Sequence, residues 1–100
     1  MLKHVILWTL KPELSDEEKE TVRRSAKEQL EGLMGKIEGL VAIKVNTVGL
    51  PTSNVDMMLD STLENKEALA HYASHPLHVA VADNFISPFC SERRCFDFEE

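Results

Sequence analysis

The segment from Leu2 to Leu10 constrains the fold most, because its alternating residues are apolar on both faces. Residues two apart in a β-strand share a face, and neighbours point to opposite faces. One face carries His4, Ile6, Trp8 and Leu10, and the other carries Val5, Leu7 and Thr9. A strand with two apolar faces is normally covered on both sides. We therefore expect helices on one side of its sheet, and a partner subunit or a ligand-filled cavity on the other.

The next segment predicts a helix. Ser15 and Glu18 form a capping box, in which each side chain accepts a hydrogen bond from the backbone N–H of the other residue. An apolar stripe at helical spacing follows, made of Val22, Ala26, Leu30, Leu33 and Ile37. We expect the helix to end near Met34, because glycines on both sides of that residue weaken its last turns.

Three further strands and a broken helix complete the pattern. Strands are predicted over 40–48, 55–63 and 89–98, from their alternation and their Val, Ile and Phe content. Asn65 caps the second helical region, which Pro76 interrupts, because the residue before a proline avoids the helical conformation. The order β-α-β-β-α-β predicts one α+β domain over residues 2–98, with a ferredoxin-like fold. Both helices then cover one face of a four-stranded antiparallel sheet.

In that fold the second sheet face is bare. We expect the apolar row of His4, Ile6 and Trp8, together with Met57 and Leu59, to lie on it. A large exposed apolar surface marks an interface, and the simplest symmetric solution is a two-fold dimer. The sequence therefore predicts a homodimer whose sheets face each other.

Charge and cysteine content exclude other classes of protein. The chain has 11 Lys and Arg against 17 Asp and Glu, a net charge of −6, which disfavours nucleic acid and anionic membranes as partners. Cys90 and Cys95 would lie ~16 Å apart on opposite faces of one strand, too far for a disulfide. Unpaired thiols and the absence of a cleavable leader lead us to expect a cytoplasmic protein.

Three of the four histidines, His71, His75 and His78, lie within eight residues. On an unbroken helix they would share a face, as metal ligands do. Pro76 breaks that helix, so we expect no metal site and no cofactor there.

Tyr72 and His78 form the main catalytic candidate. A bend at Pro76 would bring a phenol and an imidazole to the same cavity. The imidazole could then remove a proton while the phenol holds the developing oxyanion. The alternative is structural: Tyr72 packs in the core with its hydroxyl satisfied, His75 caps a helix, and His78 is exposed.

Other residues are candidates for ligand contact. His4 either lines a cavity or forms a hydrogen bond at an interface. Met57 would suit an adaptable cavity wall, although a methionine in a strand is most often part of the core, and packing also explains Trp8 better than stacking on a ligand does. Ile6, Leu59 and His75 complete this candidate set.

Four segments together resemble the stress-responsive A/B barrel family of dimeric α/β barrels. They are the strand Lys3–Lys11, the helix start Ser15–Glu18, the turn Ile37–Leu40 and the pattern Tyr72-x-x-His75-Pro76-x-His78. The resemblance covers nearly the whole chain and implies a homodimer whose two sheets close into a barrel.

The resemblance also implies two functional hypotheses. One is a barrel that binds a small organic or aromatic ligand, or acts in stress tolerance, without catalysis. The other is a cofactor-independent enzyme, either a polyketide cyclase or isomerase that transfers protons, or a monooxygenase acting on an aromatic substrate. A plant polyketide cyclase of the family uses a Tyr and a His at positions matched by Tyr72 and His78, and its cavity walls match His4, Ile6, Met57 and Leu59. It has a histidine where this chain has Met57, and aromatic residues where this chain has Arg23 and Arg24.

Overall fold

The computed structural model describes all 100 residues, Met1 to Glu100, as a four-stranded antiparallel sheet with helices on one face. Its main elements are β1 (Leu2–Leu10), α1 (Asp16–Glu31), β2 (Leu40–Asn46), β3 (Met57–Leu63), α2 (Lys66–Ser74), α3 (Pro76–Val81) and β4 (Cys90–Glu99). A π-helical turn (Ala82–Ile86) and a 3₁₀ turn (Ser87–Phe89) connect α3 to β4. The strand order β2-β3-β1-β4 confirms the predicted ferredoxin-like fold.

Helix α1 begins as its sequence predicts. The Glu18 amide donates to Ser15 Oγ at 3.1 Å, and the Ser15 amide donates to the Glu18 carboxylate at 2.8 Å. The apolar stripe predicted from Val22 to Ile37 is buried throughout. The helix ends at Glu31, three residues earlier than expected, because Gly32 caps it and the chain turns at Gly35, whose φ is +83°. No helix of the chain combines the length and the apolar character that a membrane crossing requires.

The apolar row of β1 lies on the opposite side of the sheet from the one predicted. His4, Ile6 and Trp8 are all buried and share their face with the buried Met57 and Leu59 of β3. These residues belong to the core beneath the helices, with the single exception of His4, which is the buried polar residue of that row. The prediction that this row forms the bare face is therefore wrong. The alternation of residues assigns them to two rows. Because both rows of β1 are apolar, it does not predict which of them the helices cover.

The bare side of the sheet carries the other row, which we call the open face. Its apolar members are Val5, Leu7, Met58, Phe96 and Phe98. Phe96 is 69% exposed and Phe98 37% exposed, and their ring centroids lie 5.7 Å apart. Charged groups of both signs accompany them, including the ion pair of Lys3 Nζ and Asp60 Oδ1 at 2.7 Å. The chain thus leaves an uncovered apolar surface, as predicted, but builds it from different residues.

A β-bulge in β4 changes the position of the cysteines. Trp8 lies opposite Arg93 and Leu10 opposite Cys90, so that the register shifts between Thr9 and Leu10. Residues paired across two strands share a face. Cys95 lies opposite Ile6 and Cys90 lies opposite Leu10, so both cysteines are on the helix-facing side of the sheet. The prediction that the cysteines lie on opposite faces is therefore wrong, because a bulge adds one residue to the alternation. Both cysteines are free thiols.

The turn before β2 requires glycine at a specific position. Gly39 has a φ of +89°, and a Cβ atom there would lie 2.6 Å from Ala68 Cβ on α2. Gly35 has a similar φ of +83°, but an added Cβ would meet nothing within 4 Å. Both positions therefore need the left-handed conformation, and only Gly39 also needs the space.

We expect Gly39→Ala to destabilise the protein more than Gly35→Ala. Each variant places a side chain at positive φ, which costs about 1–2 kcal/mol. Gly39→Ala adds a steric overlap with α2 that costs about 1–3 kcal/mol more. Urea denaturation of the two variants measures the difference, and equal losses of stability would show that α2 can move away from the turn.

Candidate functional site

Tyr72 lies on α2 and is completely buried between the helices and the sheet. Asn65 starts this helix, since its side chain accepts the Ala68 N–H at 2.8 Å. The phenol hydroxyl of Tyr72 has no hydrogen-bond partner in the protein, although it is fully enclosed. Buried polar groups are almost always paired, so an unpaired hydroxyl marks a position where a partner from outside the chain would be favourable.

His78 lies beside that tyrosine, as the predicted bend requires. The break at His75 and Pro76 separates α2 from α3 and brings the His78 ring centroid to 4.3 Å from that of Tyr72, at an angle of 40°. His78 is half-buried, so one part of its ring reaches the surface. The structure therefore brings together the two residues predicted to be catalytic, while their catalytic role stays a prediction.

Hydrogen bonding defines the tautomer of His78. Its Nδ1 lies 3.2 Å from the Ala73 carbonyl oxygen, which can only accept a hydrogen bond. In the neutral ring Nδ1 therefore carries the proton, and Nε2 keeps its lone pair free to accept one. His78 thus presents the nitrogen that a general base would use.

Burial keeps both groups neutral at physiological pH. Burial lowers the pKa of His78, and the positive charges of His4 and Arg93 lower it further. The hydrogen bond to Ala73 and the charge of Asp83 oppose this shift without cancelling it. Burial raises the pKa of Tyr72 to about 12, against the smaller opposing effect of Arg93. A neutral imidazole beside an un-ionised phenol is the protonation state in which the first accepts a proton and the second donates a hydrogen bond.

His4 approaches the same tyrosine from the sheet. Its ring lies edge-on to Tyr72, with centroids 6.1 Å apart, and its Nδ1 lies 2.5 Å from Asp97 Oδ1. The ion pair with Asp97 offsets the cost of burying an imidazole in the apolar row of β1. His4 is thus hydrogen-bonded and lies next to Tyr72, while its role in ligand binding stays a prediction.

His71 and His75 do not join His78. His75 accepts the Leu77 N–H at its Nδ1, 3.1 Å away, and so caps α3, as the structural alternative predicted for it. The His71 ring lies edge-on to His75 at 5.3 Å, while His78 turns towards Tyr72. The three histidines are therefore divided between two surroundings.

The five main clefts of the chain lie apart from this pair. Five clefts have volumes of about 230 to 370 Å³, and none of them is lined by Tyr72 or His78. Trp8 lines one of 230 Å³ together with Arg93 and Cys90, and Met57 lines one of 290 Å³ beside the loop after β2. Ile6 and Leu59 lie fully within the core. The apolar cavity expected around Tyr72 stays a prediction.

Sequence reasoning missed the contribution of β4 to this region. Arg93 and Asp97 lie on its helix-facing side with Cys95, and each acts on His4, Tyr72 or His78 by charge or hydrogen bond. The signal was available, since these polar residues alternate with Phe96 and Phe98. The same alternation that places the phenylalanines on one face places these polar residues on the other.

Solved structures share this architecture. A dimeric protein of unknown function with a ferredoxin-like fold from Bacteroides fragilis NCTC 9343 is 32% identical, with a TM-score of 0.93 over 99% of this chain and 95% of that chain. At3g17210 from Arabidopsis thaliana is 27% identical, with a TM-score of 0.75 over 100% of this chain and 95% of that chain. Hydroxynitrile lyase from Passiflora edulis, at 16% identity and a TM-score of 0.69 over 97% and 90% of the two chains, shares the fold alone.

A search of the curated proteins finds no match to the chain. The family comparison does find one, and it extends over residues 2–100. This range includes every strand and every helix of the chain, and both members of the Tyr72–His78 pair. The chain belongs to the Stress responsive A/B Barrel Domain family.

Proposed function

We propose that the protein is a homodimeric barrel that binds a small organic ligand between the helices and the sheet, next to Tyr72 and His78. The observation that carries this proposal is the buried Tyr72 hydroxyl without a hydrogen-bond partner. Leaving such a group unpaired costs about 1–3 kcal/mol, which a ligand atom bonded to it would recover.

The open face supports the dimer. Its exposed phenylalanines and the half-buried Val5 and Leu7 form an apolar surface on one side of a sheet that is otherwise covered. The 32% identical relative from Bacteroides fragilis is dimeric. A second copy of the chain placed face to face would bury these side chains symmetrically. The free thiols of Cys90 and Cys95 agree with a reducing compartment such as the cytoplasm.

The protonation states define the class of ligand. Tyr72 offers an O–H donor, and His78 offers an unprotonated Nε2. A carbonyl oxygen would accept from the phenol, and an acidic C–H or O–H of the same molecule would face the imidazole. The surrounding apolar core favours an aromatic or aliphatic body on the ligand. We therefore propose a small ketone or phenol as the ligand class.

The second candidate function is cofactor-independent proton transfer, of the polyketide cyclase or isomerase kind. The specific observation in its favour is the contact of a neutral imidazole with a phenol, which together supply a base and an oxyanion donor. Hydroxynitrile lyase from Passiflora edulis has the same fold, so the fold is compatible with catalysis.

One experiment separates the two functions. Phenylacetone is added to the protein in D₂O, where saturation-transfer NMR detects binding and the loss of its α-proton signal measures exchange. Binding that Tyr72→Phe weakens supports the ligand site. Catalysed exchange in addition supports the enzyme, and we then expect His78→Gln to slow it by about 10²-fold or more. The rate should rise with pH as His78 loses its proton, with a midpoint below 6.5, because burial lowers the pKa of His78.

His71→Gln is the matched control, since it removes an exposed histidine of α2 whose ring lies edge-on to His75. It should leave both binding and exchange unchanged. Absence of phenylacetone binding to the unmodified protein, or equal binding by Tyr72→Phe, would contradict the proposed ligand site.

A further inference from the structure

A separate group of donor atoms lies where β1 meets β4. His4 Nδ1, Cys95 Sγ and Asp97 Oδ1 all lie within 4.8 Å of one another. The nitrogen is 2.5 Å from the oxygen and 3.9 Å from the sulfur, and the sulfur is 3.4 Å from the oxygen. One nitrogen, one sulfur and one oxygen donor therefore converge on a single point.

Strand pairing holds these three groups together. Cys95 and Asp97 are two residues apart on β4 and so share its helix-facing side. His4 lies directly opposite Asp97 in the register of β1 and β4. Directly opposed residues have Cβ atoms about 4.5–5.5 Å apart. The triangle of side chains thus originates from a paired backbone and not from a flexible loop.

We propose that His4, Cys95 and Asp97 bind a Zn²⁺ ion. Imidazole, thiolate and carboxylate are the three ligand types that zinc uses in proteins. The thiolate and the carboxylate together carry two negative charges, which match the charge of the ion. Magnesium and calcium prefer oxygen ligands, so the sulfur favours zinc over both.

The distances require only a small adjustment. Tetrahedral zinc with bonds of about 2.0–2.3 Å separates its ligand atoms by roughly 3.3–3.6 Å. The Cys95–Asp97 distance of 3.4 Å already fits, the Cys95–His4 distance of 3.9 Å closes slightly, and the His4–Asp97 distance of 2.5 Å opens by less than one ångström. On binding, the Cys95 thiol and the His4 Nδ1 each release their proton to water, and the neutral His4 ring keeps its proton on Nε2.

The surroundings leave the fourth position accessible. His4 is 8% exposed and anchors the site in the core, whereas Cys95 and Asp97 are exposed. A zinc ion with three protein ligands keeps one position for water or a substrate atom, as catalytic zinc sites do. In the metal-free protein, burial and then Asp97 raise the pKa of the Cys95 thiol, against the smaller opposing effect of the Arg93 guanidinium. All three ligands lie on the side of the sheet away from the open face.

Cobalt substitution tests the site without reference to any ligand or activity at Tyr72. Co²⁺ replaces Zn²⁺ and absorbs visibly in a tetrahedral site, and a bonded thiolate adds a charge-transfer band. We expect the unmodified protein to bind one Co²⁺ per chain with both features, and Zn²⁺ to displace it. Cys95→Ser should remove the thiolate band and weaken Zn²⁺ binding at least about a hundredfold. Substituting a residue that only supports a metal ligand weakens affinity by about 10- to 100-fold, and the loss of a ligand itself should cost more.

Cys90→Ser is the matched control, because it removes the other free thiol, which is outside the group of three. It should keep the spectrum and the affinity. Asp97→Asn should weaken Zn²⁺ binding while the thiolate band remains. A thiolate band that survives in Cys95→Ser, or no binding of Co²⁺ and Zn²⁺ by the unmodified protein, would overturn the proposal and leave His4 and Asp97 as an ion pair only.

Discussion

Phe96→Asp is expected to convert the protein from a dimer of two 11.3 kDa chains into a monomer. Phe96 is the most exposed aromatic residue of the open face, and the proposed partner would cover it. Burying a phenylalanine contributes about 1.5–3 kcal/mol. A two-fold interface contains each residue twice, so the substitution removes about 3–6 kcal/mol, which weakens association by about two to four orders of magnitude. Burying an aspartate at that position adds a further cost, because its charge would lose water.

Sedimentation velocity across micromolar concentrations measures the effect. Leu77→Asp is the control, since Leu77 is 44% exposed but lies on α3, on the opposite side of the sheet from the open face. This control variant should leave the mass of the sedimenting dimer unchanged. A monomeric unmodified protein, or a dimer that tolerates aspartate at Phe96, would show that the open face is not the interface.

Tyr72→Phe is expected to stabilise the ligand-free protein. The substitution keeps the ring in the core and removes a buried hydroxyl that has no hydrogen-bond partner. An unpaired buried polar group costs about 1–3 kcal/mol, and each kcal/mol raises the melting temperature by about 4–8 °C in a chain of this size. The native tyrosine is thus a residue that lowers stability, which is common where a side chain is kept for binding or catalysis.

The stability difference between Tyr72→Phe and the unmodified protein should grow in alkali. Burial raises the pKa of Tyr72 to about 12 from an ordinary value of 10.0, so the folded protein holds the phenol proton that the unfolded chain releases. The stability that comes from binding this proton is fully present below pH 10 and is lost as the pH rises towards 12, so the unmodified protein loses stability there and Tyr72→Phe does not. Since Tyr72 is the only tyrosine, ultraviolet titration reports its ionisation directly. Thermal unfolding of both proteins measures the effect, and destabilisation by Tyr72→Phe at neutral pH would show that the hydroxyl is paired.

Local signals predicted the elements of the fold well. The Ser15–Glu18 capping box and the stripe from Val22 to Ile37 describe α1 because both depend on residues three or four apart. Pro76 predicted the separation of α2 from α3 for the same reason, since its ring excludes a continuous helix. The convergence of Tyr72 and His78 follows from that break and was predicted with it.

Interactions across the sheet were harder to predict. The even and odd rows of β1 are both apolar, so composition does not distinguish the row under the helices from the row on the open face. The bulge in β4 places Cys90 on the same side of the sheet as Cys95. A serine at position 91 is not a residue type that predicts a bulge. A single inserted residue reverses every assignment beyond it, because the period of a strand is two.

The order of the elements, the break at Pro76 and the presence of an apolar sheet face that the helices leave uncovered all follow from the amino-acid sequence. Three further features require the folded chain: which face the helices cover, the enclosure of the Tyr72 hydroxyl without a partner, and the contact of Cys95 and Asp97 with His4. The first group of features depends on contacts within one turn of helix or along one strand. The second depends on the register between β1 and β4, residues about ninety positions apart, which only the assembled sheet establishes.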